Sequence, residues 1–129
     1  MRREIVRTPD APTSSLFSQG VAAGGLLFTS GMAGVVPATG QYAGPGIKEQ
    51  TRQALANCMA VLAAGGATLD DVVEVGVLLA DPADFAEFNE EYTLWLPPDP
   101  PARHVAQLGV DVEELLVSIR MTAAPSQQR

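Results

Sequence analysis

A chain of 129 residues with 47% hydrophobic and 18% charged side chains has the size and composition of one globular domain, expected over residues 1–129. Its 15 acidic residues against 8 basic ones give a formal charge of −7, which opposes binding to nucleic-acid phosphates and to anionic membranes. A single cysteine, Cys58, excludes an intrachain disulfide, and no metal-ligand spacing surrounds it.

The charged start, Met1 to Arg7, is not followed by a long apolar run, so no secretory signal is expected. The most apolar stretch, residues 21–36, is broken by Gly24, Gly25, Gly31 and Gly34 and is too short to span a bilayer. A reducing cytoplasm is the expected compartment.

Ile5 and Val6 read as a first strand and residues 18–22 as a second. Gly24 and Gly25 turn the chain into a third strand over 26–30. Pro37, Ala38, Thr39 and Gly40 form a turn before Gln41 and Tyr42. The spacing of Ile47, Thr51, Ala54, Leu55, Cys58, Val61 and Leu62 predicts a helix over 47–64, stopped by Gly65 and Gly66. Residues 68–71 read as a brief capped turn. A strand follows over 72–79, with Val73, Val75, Val77 and Leu79 on one face. Val72, Gly76 and Leu78 leave the other face mostly apolar, as in a central strand.

Asp81, Pro82 and Asp84 start a second helix: Asp81 accepts from free backbone donors, proline suits the first position, and Asp84 complements the positive end. Its expected buried stripe is Phe85, Phe88, Tyr92 and Trp95 with Leu96. The proline-rich connector 97–101 is stiff and extended. Residues 102–108 and 115–123 read as the last strands, and 125–129 as a frayed tail.

The order is therefore an α+β fold, a sheet of about six strands with both helices on one face. The other face is expected to carry Val72, Leu78 and Leu116 towards solvent, which predicts self-association.

Several residues offer chemistry. Arg103 is a rigidly held guanidinium able to grip a carboxylate through two parallel hydrogen bonds; alone, it also fits a solvated arginine. Ser30 and Gly31 end a strand, where a hydroxyl and backbone amides can hold polar atoms or simply satisfy the turn. Asn89 fits a structural bond to a loop or partner. His104 alternates away from Arg103 and fits a structural role. Cys58 fits the core. Ser118 and Arg120 share one face of the last strand, roughly 7 Å apart, with Glu114 and Leu116 continuing it; Arg120 is a surface ion-pair partner or a second cation near a ligand.

Gln19-Gly20, Phe28-Thr29-Ser30-Gly31, Phe88-Asn89, Pro101-Ala102-Arg103 and Val117-Ser118-Ile119, in this order and spacing, resemble the RidA (YjgF) family. The resemblance implies a chorismate-mutase-like fold closed into a homotrimer, with three clefts each lined by two chains. It implies hydrolysis of enamine or imine intermediates to a 2-oxo acid and ammonia, without a metal or organic cofactor. Carried over, Arg103 binds the substrate carboxylate, the main-chain carbonyl of Val105 faces the imine nitrogen, and Ser30 and Gly31 line the cleft.

Two positions depart from the family pattern. Phe17 stands where the deaminases have tyrosine, and Ser118 where they have a water-orienting glutamate. A serine can hold water but takes no proton at neutral pH. A diverged deaminase, with Ser118 in the catalytic position, is thus weighed against a non-catalytic protein that binds a carboxylate metabolite. The ribonuclease label attached to some relatives fits the acidic charge poorly.

Overall fold

The structure, a computed structural model, describes residues 2–126; the expected tail lies, from residue 127 on, outside them. In chain order it contains β1 (Glu4–Val6), β2 (Gly20–Ala23), β3 (Leu26–Thr29), β4 (Met32–Ala33), β5 (Val35–Val36), β6 (Gln41–Tyr42) and α1 (Ile47–Ala64). A 3-10 turn (Leu69–Asp71) leads to β7 (Val72–Leu79), and a second (Pro82–Asp84) to α2 (Phe85–Thr93), followed by β8 (Ala102–Gln107) and β9 (Val117–Ala123).

The sequence explains where α1 stops. The amide of Gly66 donates to Ala63 and that of Ala67 to Leu62, while Gly66 takes a positive φ of 83° that a side chain would strain. All seven residues expected in its stripe are buried. The start of α2 is set by Asp81, whose carboxylate accepts from the Ala83 amide at 2.9 Å.

Seven strands form one sheet in the order β1-β2-β3-β9-β7-β8, with β4 also paired to β9. Only β7 and β8 run parallel, joined by α2; the other pairs are antiparallel. The pair β5-β6 stands apart. Both helices pack on one face, where Leu55, Val61, Leu62, Phe88, Val77 and Ile119 are fully or almost fully buried. Each such side chain contributes about 1.5–3 kcal/mol by leaving water.

Four expectations are corrected. The ladder between β7 and β9 slips between Val72 and Glu74, so Val72 is buried and Val73 is 48% exposed, the reverse of simple alternation. Phe85 is 45% exposed because α2 opens with a 3-10 turn, whose tighter period shifts the phase of the stripe. Leu116 precedes β9 and packs half-buried against the core. Glu114 also precedes β9, with a φ of 67°, and does not continue its face.

The uncovered face carries Phe28 at 41% and Leu78 at 38% exposure, with Ser118 and Arg120 in register with Leu78 and Gly76. No helix of the described residues is long and apolar enough to cross a membrane.

Candidate functional site

Arg103 lies in register with Val75 and therefore on the helix-covered side of the sheet, at the free edge strand β8. Helix α2 holds it from three directions. Its Nη1 donates to Asn89 Oδ1 at 2.7 Å, and its guanidinium lies 5.1 Å from the Tyr92 ring centre and 5.8 Å from that of Phe85. Asn89 is neutral, and no carboxylate pairs with Arg103 among the described residues. The guanidinium keeps its charge and further donors for a ligand.

The platform beneath Arg103 is itself fixed. Tyr92 stacks on the buried Phe88 with ring centres 5.3 Å apart. At the end of α2, Glu91 accepts from Arg52 at 3.0 Å and from the Trp95 indole at 3.0 Å; the Arg52 and Trp95 hydrogen bonds hold its carboxyl below the usual range. Burial pushes the Tyr92 phenol up, with Arg103 opposing. Its hydroxyl has no hydrogen-bond partner among the described residues.

Arg103 and Val105 line a cavity of about 480 Å³ with Phe85, Pro82 and Gln107. The Leu108 amide donates to Leu79. In a parallel ladder this turns the carbonyl of Val105 away from β7, to the free edge of the sheet.

Ser118 lies on the opposite face. Its register partner is Leu78, itself opposite Ala106 of β8. With Gly31, His104 and Arg120 it lines a second cavity of about 390 Å³. Gly31 reaches this cavity through a bulge. Between the pairs Phe28–Thr122 and Met32–Ile119, three residues face two. The Thr29 hydroxyl fills the gap in the ladder, accepting from the Met121 amide at 2.9 Å and donating to the Ser30 carbonyl at 3.0 Å. A Cβ on Gly31 would stand 2.7 Å from Ser118 Oγ, so any other residue here would force that hydroxyl to move.

Ser30 spends its hydroxyl on the Ser18 carbonyl at 2.6 Å and its amide on Gln19 at 2.9 Å, and lines neither cavity. Phe17 lines a third hollow of about 340 Å³ near Arg7 and Thr13. Glu113 and Glu114 line none of these three; Glu114 lies near Tyr42, helping burial raise that phenol. Cys58 is buried, donates to the Ile119 carbonyl at 3.2 Å, and is pushed up to about 12 by burial, which leaves it unreactive. No group of three or more metal-ligating side chains occurs among the described residues.

One chain thus brings Arg103 together with Val105, and Ser118 together with Gly31 and Arg120. It does not bring the two groups to one face. The family model of Endoribonuclease L-PSP matches residues 8–125. The chain belongs to this family, also called RidA or YjgF. It is 38% identical over 110 residues to Reactive Intermediate Deaminase A, chloroplastic, of Arabidopsis thaliana, covering 84% of this chain and 59% of that protein. It is 34% identical over 130 residues to the 2-iminobutanoate/2-iminopropanoate deaminase of Bos taurus, covering 95% of each. The crystal structure of TdcF from E. coli with bound serine superposes with a TM-score of 0.88 at 30% identity, over 95% of this chain and 99% of that one. Imine deamination is therefore an activity of this family.

Two supporting residues escaped the sequence reading. Gln50 donates to the carbonyls of Gly44 and Glu114 and accepts from the Leu116 amide, tying the loop before β9 to α1. Asn57 donates to the carbonyls of Ala33 and Val35, fixing the chain after Gly31. Both are polar residues inside the helical stripe of α1, at three-residue and four-residue steps from its apolar members. That position is the signal that marks them as buried and bonded.

Proposed function

We propose that the chain hydrolyses an enamine or imine of a small carboxylate-bearing substrate in clefts between the subunits of a homotrimer. The observation that carries this reading is Arg103, held by Asn89, Tyr92 and Phe85 at a cavity mouth with its charge uncompensated. A second copy whose uncovered face meets the free edge at β8 would add Gly31 and Ser118 to Arg103 and Val105. The exposed Phe28 and Leu78 supply an apolar surface for that contact.

In this cleft the substrate carboxylate pairs with Arg103 and its nitrogen donates to the Val105 carbonyl. Water adds to the carbon of the C=N bond, the carbinolamine expels ammonia, and a 2-oxo acid remains. The Ser118 hydroxyl positions the water without removing its proton. Positioning alone leaves a rate below that of a site with a carboxylate, by about 10²–10⁴.

The same absence of a carboxylate from both cavities favours a second reading, a protein that binds a carboxylate metabolite without chemistry. The formal charge of −7 weighs against the nuclease activity after which the family model is called.

A coupled assay of 2-iminobutyrate and 2-aminoacrylate hydrolysis, beside sedimentation at micromolar concentration, tests the proposal. A trimer with slow but measurable turnover is expected. Binding without turnover would select the second reading, and a monomer would sink the shared cleft. Arg103→Ala should weaken carboxylate affinity by about 2–5 kcal/mol with the fold intact.

A further inference from the structure

We propose that the substrate carries a second anionic group, a distal carboxylate, and that Arg120 receives it. This deepens the shared-cleft reading and rests on it. Arg120 is a cation in a chain with nearly twice as many acids as bases, yet no acid or hydrogen-bond acceptor pairs with it among the described residues. It lies on the same face as Ser118, two residues further along β9, and lines the same cavity of about 390 Å³ with Gly31 and Ser118. No carboxylate lines that cavity.

Gly76 sets the direction of the side chain. A Cβ at position 76 would stand 2.9 Å from Nε of Arg120, 3.2 Å from Cγ and 3.6 Å from Cδ. The arginine stem therefore lies across the bare backbone of β7, in the space that any other residue would fill. It stays on the uncovered face, lining the cavity that Ser118 also lines. A guanidinium carried this way, without a partner, is a recognition group for a planar anion.

Arg103 already takes the carboxylate next to the reacting carbon. The group meeting Arg120 is then at the other end of the ligand, beyond the carbon that Ser118 and Gly31 face. A monocarboxylate leaves Arg120 unused; a dicarboxylic 2-imino acid engages both cations.

Calorimetric titration of the native assembly with 2-oxobutyrate and 2-oxoglutarate, the mono- and dicarboxylic product types, tests this. The dicarboxylate should bind at least about tenfold more tightly. Arg120→Gln should abolish most of that preference, Arg120→Lys should restore part of it, and Gly76→Ala, which displaces the stem without removing the charge, should also reduce it. Equal affinities in the native protein, with Arg103→Ala abolishing both, would overturn the role of Arg120 and leave the cleft standing. Failure of either ligand to bind, or indifference to Arg103→Ala, would overturn the cleft and this inference together. Dissociation of the assembly by Arg120→Gln, with the ratio of affinities preserved, would make Arg120 an interface ion and refute the proposal.

Discussion

The two halves of the candidate site are built to different degrees. Around Arg103 the chain supplies everything: a strand, a neutral hydrogen-bond acceptor, two rings and a helix anchored by Glu91. Around Ser118 and Arg120 it supplies a bare sheet face, two glycines and a cation with no ion-pair partner among the described residues. The first half needs no partner to be ordered. The second is rigid in its backbone, because β9 is central, but its side chains have nothing opposite them. In the proposed cleft both halves would be joined by association, and the chemistry would be set by the less furnished half.

The largest effect available should come from furnishing that half. Replacing Ser118 by Glu together with Phe17→Tyr should raise turnover of 2-iminobutyrate by about 10² or more, since a positioned acid or base is worth about 10²–10⁴. Arg120, roughly 7 Å along the same face, opposes this by attracting the new carboxylate. Adding Arg120→Ala should then release further activity. If the unmodified chain already turns over 2-iminobutyrate at a rate that the added glutamate does not improve, Ser118 is not the limiting position. Phe17 gives a sharper view of the same comparison. It lines a hollow apart from both halves within one chain, so any benefit of Phe17→Tyr must come from a neighbouring copy. The single variants tell whether that position contributes at all.

A middle-sized effect is expected in the furnished half. Asn89→Ala removes the bond that orients Arg103 while leaving both rings in place. A hydrogen bond to a charged group contributes about 1.5–3 kcal/mol, but the pair is exposed and water replaces part of it. We expect a three- to tenfold rise in the KM for a carboxylate substrate, about 0.7–1.4 kcal/mol, with a smaller change in kcat. A fall in kcat without change in KM would show that Asn89 acts on the reacting centre instead. In that case Arg103 is fixed by the rings alone.

This division was only partly legible in the sequence. The bounds of α1 and β7 are written in local chemistry: apolar residues at helical spacing, two glycines at the stop, and a β-branched run. Asp81 and Pro82 mark the second helix start for the same reason. What the sequence could not show is which strands are neighbours. Alternation places Arg103 opposite His104, and Ser118 on one face with Arg120, but only the parallel register of β7 and β8 puts Arg103 and Ser118 on opposite faces. The slip at Val72 and the bulge at Thr29 are likewise tertiary events. In the bulge a threonine hydroxyl takes the place of a backbone acceptor, and no local pattern announces that. Gln50 and Asn57 were hidden differently: a count of apolar residues alone passes over polar ones at buried positions.

The smallest effect probes a flaw in the furnished half. Tyr92 supports Arg103 with its ring, but its hydroxyl is buried with no partner among the described residues. A buried unsatisfied hydroxyl costs about 1–3 kcal/mol, and part of that is recovered when the oxygen is removed without changing the ring. Tyr92→Phe should therefore stabilise the chain by about 1 kcal/mol, read as a higher urea midpoint at unchanged slope. The stacking on Phe88 and the contact with the guanidinium are ring properties and survive the change. A loss of 1 kcal/mol or more would mean that the hydroxyl is bonded in solution. An enclosed water is one such partner; a group from a second copy is the other, and only that one would make the midpoint rise with protein concentration, extending the dependence on association to the half that otherwise stands alone.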